Sequence, residues 1–187
     1  MSINTSLLTE WDFYGIILPP NPKRCDMSVR KVRADELERV SAIYQRAREY
    51  MKSTGNPNQW GKVYPPLELI EQDILGGNLF ALEESGEIYG VFAFFPDGDS
   101  AYSHIDGAWL NDKPYGAIHR VASAGIRKGV LCECVSFCLT KTKNLKIDTH
   151  INNAIMQHQL KKEGFIECGT IYLDNGEPRI AFQLSPD

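Results

Sequence analysis

The chain has 187 residues, of which 43% are hydrophobic and 24% are charged, as is typical of one soluble globular domain. This length and composition disfavour two full domains and a disordered chain. The net charge of -4 argues against a nucleic-acid partner, since binding to phosphates needs a basic face. The early apolar stretch 13–18 is too short to span a bilayer and lacks the basic flank of a signal peptide, so we expect a cytoplasmic protein without a membrane partner.

The first part of the chain shows no sustained hydrophobic period, and Pro19, Pro20 and Pro22 interrupt it. We therefore predict an N-terminal extension over residues 1–27 and a single domain over residues 28–187. Because Met27 directly precedes the first clear strand, a true start at Met27 is an alternative.

From there, hydrophobic periodicity and turn residues predict an alternation of strands and helices. In chain order the elements are a strand at 28–33, helices at 35–51 and 67–75, strands at 79–83, 88–95 and 115–123, a helix at 128–141, a strand at 145–149, a helix from Asn152 or Asn153 to Glu163, and strands at 165–173 and 179–184. The segment 102–109 is ambiguous. This order predicts a layered α/β (α+β) domain with a mixed, mostly antiparallel sheet of about seven strands and about four helices.

Three of the five cysteines, Cys132, Cys134 and Cys138, fall within the predicted helix at 128–141 and suggest a metal site. At about 100° per residue, however, Cys132 points away from Cys134, so the three thiols cannot converge. We expect reduced thiols and no metal.

The connection between the strand at 115–123 and the following helix contains Gly125 and Gly129. A helix that begins after such a loop presents backbone N–H groups suited to a phosphate, and Arg127 and Lys128 add positive charge there. A plain tight turn explains the two glycines as well, and is the commoner reason for them.

Four short motifs carry a resemblance to a known family. They are Ile118-His119-Arg120, Lys128-Gly129-Val130, Ile147-Asp148-Thr149-His150 and Gly164-Phe165. In their order and spacing, residues 29–184 resemble the GNAT superfamily of N-acetyltransferases.

The resemblance implies acetyl-CoA as co-substrate, with its pantetheine arm beside the strand at 115–123. It implies that the backbone of His119, Val121 and Ser123 binds this arm, and that Val121 N–H polarises the thioester carbonyl. It also implies cofactor contacts from Asn153 and from the amides of Gly125, Ile126, Arg127, Lys128, Gly129, Val130 and Leu131. The family's phosphate motif differs here at Ile126 and Leu131, and the bulk of Leu131 could crowd the phosphates.

The mechanism implied by the resemblance is direct attack of a neutral amine on the thioester. The family's general acid is a tyrosine at the place where this chain has Leu160. Substitutes are Tyr172, His150 and Asp106, although hairpin packing, helix capping and a turn explain these three residues equally or better.

The acceptor site is expected to include the loop residues Gln59, Trp60 and Tyr64, together with Trp109, unless these aromatic residues belong to the core. The sequence thus predicts an N-acetyltransferase that acts on the amine of a small molecule. A degenerate CoA-binding regulatory domain without turnover and a non-catalytic interaction module are the alternatives. Edge strands near the C-terminus would allow a homodimer.

Overall fold

The structure is a computed structural model that describes residues 27–186. The predicted extension lies outside these residues apart from Met27, whose backbone belongs to the first strand. The strands are β1 Met27–Lys31, β2 Leu79–Glu84, β3 Glu87–Phe95, β4 Asp106–Gly107, β5 Gly116–Ser123, β6 Leu145–Thr149, β7 Ile166–Tyr172 and β8 Pro178–Leu184. The helices are α1 Leu37–Ser53, α2 Leu67–Leu75, α3 Val130–Leu139 and α4 Ala154–Lys162.

All eight strands form one sheet in the order β1-β2-β3-β5-β6-β8-β7-β4. Every neighbouring pair is antiparallel except β5 and β6, which are parallel. The mixed, mostly antiparallel sheet with four helices is confirmed. The strand beyond the seven expected is β4, which has two residues and lies in the ambiguous segment.

Apolar residues from both sheet faces pack against different helices. Buried residues of α1 and α2, including Val40 and Ile70, form one core with the sheet. Leu131 of α3 and Leu160 of α4 belong to the other large core. A smaller cluster around Tyr102 lies against Ala117 of β5 and Ala181 of β8. Within residues 27–186, no helix is long and apolar enough to cross a membrane.

The first helical turn before α1 is stabilised by an acidic residue. Glu36 is buried, binds Arg30 of β1 through both carboxylate oxygens, and accepts the backbone N–H of Arg33. The hydrogen bond from Arg30, helped by that backbone N–H and opposed by burial, lowers the pKa of Glu36 to about 2.

β5 and β6 pair over only part of their length. The described ladder between them covers only Gly116–Ile118 opposite Leu145–Ile147. On its other edge, β5 carries a bulge, since three steps from His119 to Ala122 match two steps of β3. Arg120 has a φ of 52° within this bulge. The bulge bends the second half of β5, and a gap opens beyond the last paired residues.

Candidate active site

A cleft of about 1100 Å³ opens where β5 and β6 stop pairing. Its walls come from α1, the loop that follows it, the second half of β5, the start of α3, the end of β6, α4 and the β7–β8 hairpin. The sequence-predicted residues on these walls are Gln59, Trp60, Tyr64, His119, Val121, Ser123, Gly125, Arg127, Lys128, Gly129, Val130, Leu131 and Asn153. Ile126, Trp109, Tyr172, His150 and Asp106 do not line it.

One end of the cleft is formed by the start of α3. Gly129 caps this helix with a φ of 92°, and its carbonyl accepts the N–H of Glu133 at 3.0 Å. A residue with a side chain would be strained at this angle, so glycine lets the chain turn sharply into the helix. Lys128 is exposed beside it, and Arg46 of α1 donates to the carbonyl of Ala124. The result is a helix start with two cations near it, which suits an anion.

Arg127, which also lines the cleft, has its guanidinium held by neighbouring carboxylates. Its guanidinium lies 3.0 Å from Glu133 and 3.2 Å from Glu84, and over the ring of Tyr89 at 4.7 Å. These contacts tie the loop to β2, β3 and α3. Ile126 next to it is 51% exposed and borders a separate, smaller pocket.

Two of the three departures from the family pattern, Leu131 and Leu160, lie in the core. Their exposed fractions are 4% and 0%. The side chain of Leu131 is therefore taken up by packing between α3 and the sheet. Leu160 offers no hydroxyl group to the cleft.

The other end of the cleft contains an imidazole between two carboxylates. His119 Nε2 lies 2.9 Å from Asp99 Oδ2, and His119 Nδ1 lies 3.8 Å from Asp148 Oδ1. The neighbouring His119 imidazole lowers the pKa of Asp99 to about 2, so that this carboxylate is ionised at neutral pH. The buried Tyr102 hydroxyl donates to Asp148 Oδ1 at 2.8 Å. This arrangement can accept a proton and stabilise the resulting imidazolium.

The loop after α1 crosses the cleft and is fastened on the far side. Gln59 Oε1 accepts hydrogen bonds from Asn56 Nδ2 at 2.7 Å and from Asn153 Nδ2 at 2.8 Å. Asn153 also caps α4 by accepting the N–H of Met156. Trp60 is buried against Tyr44, with ring centroids 5.7 Å apart. The loop therefore forms one wall of the cleft at the gap between β5 and β6.

The three sequence-predicted catalytic residues have contacts elsewhere. Tyr172 is half exposed and donates to Asp106 Oδ2 at 2.9 Å, which joins β7 to β4. His150 Nδ1 accepts the N–H of Asn152 at 3.1 Å, a turn contact. Trp109 donates from Nε1 to the carbonyl of Tyr102, and its ring packs under the ammonium group of Lys146. The polar contacts of Tyr172 and Trp109 thus lie away from the cleft. His150 does not line the cleft but lies near Arg179, and burial together with this charge lowers the pKa of its imidazole.

Several residues of the cleft carried little or no signal in the sequence. Asp99 lies in a turn after β3, Arg46 is one of several exposed charges on α1, and Arg179 is a charge in an apolar strand. Each becomes notable only through its neighbours in space. A charge at an inward position of β8 was the one hint available.

No protein-family model and no curated protein sequence matches the chain. Among solved structures, an acetyltransferase of the GNAT family from Streptococcus agalactiae is 30% identical, with a TM-score of 0.75 over 86% of this chain and 96% of that one. A putative acetyltransferase from Staphylococcus aureus is 23% identical, with a TM-score of 0.62 over 84% and 97%. A putative acetyltransferase from Salmonella typhimurium, solved with its cofactor acetyl-CoA, is 15% identical, with a TM-score of 0.57 over 87% and 95%. The similarity to the streptococcal protein over nearly its whole length shows that the chain belongs to the GNAT family of acetyltransferases.

Proposed function

We propose that this protein transfers the acetyl group of acetyl-CoA to the amine of a small molecule by direct attack. The observation that carries the proposal is the cleft between β5 and β6, with a helix start at one end and the Asp99–His119 pair at the other. The bound acetyl-CoA of the Salmonella protein, which shares the fold, supports the same cofactor here.

In this proposal the pyrophosphate of the cofactor binds the amides of residues 125–131 at the start of α3, where the helix dipole favours an anion. Lys128 and Arg46 supply positive charge, while Arg127 holds the loop in shape through Glu133. The pantetheine arm lies along the second half of β5, where Val121 N–H is assigned to the thioester carbonyl. Ile126 contributes its backbone amide only.

His119 is assigned as the general base. Its contact with Asp99 favours the tautomer with the proton on Nε2, which leaves the lone pair of Nδ1 to take a proton from the acceptor ammonium. Asp99 then stabilises the imidazolium, as the carboxylate does in other acid–base pairs. A positioned base contributes about 10²- to 10⁴-fold to the rate. Tyr172, His150 and Asp106 have contacts outside the cleft, and we assign no proton transfer to them.

Departure of the thiolate takes place without a tyrosine from α4, because Leu160 is buried in the core at that position. The proton nearest the sulfur is then the one on the attacking nitrogen of the tetrahedral intermediate. Proximity of amine and thioester in one cleft supplies much of the acceleration.

The test is thiol release from acetyl-CoA with a panel of primary amines, together with calorimetry of acetyl-CoA binding. We expect binding, and amine-dependent thiol release that falls about 100-fold or more in His119→Gln. The matched control is His104→Gln, because His104 is exposed and does not line the cleft. Binding without release for any amine would favour a regulatory domain, and absence of binding would favour an interaction module.

A further inference from the structure

A buried arginine borders the acceptor end of the cleft. Arg179 of β8 is 5% exposed and lines the cleft together with Glu177 from the β7–β8 hairpin. Arg179 Nη2 lies 2.8 Å from Glu177 Oε2, and Nη1 donates to the carbonyl of Pro178 at 3.0 Å. The Glu177 side chain is 51% exposed. The guanidinium is therefore a fixed cation, whereas its carboxylate partner can turn into solvent.

The strand register brings this cation to the face of the sheet where His119 and Asp148 lie. Asp148 of β6 is opposite Ala181 of β8, and Arg179 is two residues from Ala181, so their side chains share one face. Diagonal neighbours of this kind are about 7–8 Å apart. Asp148 in turn lies beside His119. Ala181 itself is buried against Tyr102, while His119, Asp148 and Arg179 all line the cleft.

Apart from Arg120, which is paired with Asp73, the charges of this end are two carboxylates beside His119 and the Arg179–Glu177 pair on the other side. Asp99 and Asp148 flank His119 with exposed side-chain fractions of 31% and 13%, and both are held by neighbours. Arg179 stands apart from them on β8. An ammonium group fits the two carboxylates, and a carboxylate fits the guanidinium, which binds that group in a planar, bidentate geometry. Because Glu177 is half exposed, its carboxylate can turn into solvent and leave the guanidinium to a substrate carboxylate.

We propose that the acceptor is an amine that also carries a carboxylate, as in an amino acid. Arg179 binds the carboxylate in place of Glu177, and the amine is directed to His119 and the thioester. This inference rests on the proposed acetyl transfer and narrows its substrate class. The competing acceptor is a diamine, whose second ammonium group would use Glu177.

The experiment compares matched acceptors with the wild-type protein. Each set contains an amino acid, its methyl ester and its decarboxylated amine, for example phenylalanine, phenylalanine methyl ester and phenethylamine, and diamines are added as a separate set. We expect kcat/KM for the amino acid to exceed that of its ester and amine about 10- to 100-fold, as expected for a charge-assisted pair. Equal or better turnover of esters, amines or diamines would overturn the inference and leave the acetyl transfer standing. Failure of every amine, with or without a carboxylate, would refute both.

Two variants test the assignment to Arg179 directly. Arg179→Gln is expected to raise KM for the amino acid about 10- to 100-fold while KM for the decarboxylated amine stays within about twofold. Glu177→Gln, which removes the competing carboxylate, is expected to lower KM for the amino acid. Acetyl-CoA binding checks that each variant is folded. An equal loss for both acceptors in folded Arg179→Gln would contradict the proposed contact, and the wild-type selectivity decides the question if this variant does not fold.

Discussion

The pair between Asp73 and Arg120 offers a test that joins the fold to the site. Both side chains are buried, with 6% and 9% exposed, and two hydrogen bonds of 2.9 Å connect them. Arg120 sits in the bulge of β5 directly after His119, so the pair holds the strand at the point where the cleft opens. Removing one partner leaves a buried charge alone, which costs about 3–5 kcal/mol. We expect Asp73→Ala to lower the free energy of unfolding by this amount and Asp73→Asn by about 2–3 kcal/mol, since asparagine keeps one acceptor.

The assay is urea denaturation, followed by kcat and KM of the folded variants. Burial raises the pKa of Asp73 even though Arg120 opposes the shift, so desolvation of this carboxyl group outweighs the attraction of Arg120. We therefore expect the double variant Asp73→Asn with Arg120→Met to lose less stability than Asp73→Asn alone. Glu71→Gln is the matched control, because Glu71 is an exposed acid on the same helix. A loss within about 0.5 kcal/mol for Asp73→Ala would refute the reasoning.

Three further predictions concern the base, the cofactor phosphates and acid stability. Asp99→Asn is expected to lower kcat about 10- to 100-fold with little change in acetyl-CoA binding. The control is Asp97→Asn, which changes an exposed residue and should leave kcat unchanged. Equal kcat values for the two variants would show that Asp99 has no part in the mechanism. Arg46→Ala is expected to raise the Kd for CoA about tenfold and to leave the Kd for pantetheine unchanged. Both values are measured by calorimetry, with Lys52→Ala as the control variant. Equal losses of affinity for the two ligands would contradict a phosphate contact. Because the folded pKa of Glu36 is lowered from 4.5 to about 2, its ion pair stabilises the fold fully above pH 4.5 and is lost as the pH falls through 2. Glu36→Gln should thus cost about 1–2 kcal/mol at pH 6 and almost nothing near pH 2 in denaturant titrations, and a cost independent of pH would argue against this linkage.

The local signals of the sequence were enough for most of the elements. The apolar period and flanking residues predicted α2 at 67–75, as observed, and Asn153 was one of two caps expected for α4. The stretch from Ser123 to Leu131 could also be predicted, because a loop and the helix after it are neighbours along the chain. β4 could not be predicted, since its two residues have no pattern of their own and pair with β7.

By itself, the sequence determined the order of strands and helices, the layered mixture and the position of the helix start that faces the cleft. Only the tertiary structure decided which side chains meet there. Asp99 approaches His119 from a turn, and Arg179 reaches the same face from β8, although more than fifty residues separate His119 from Arg179 in the chain. Hydrophobic periodicity reports which face of one element is buried, but strand register and the bulge in β5 set which elements share that face.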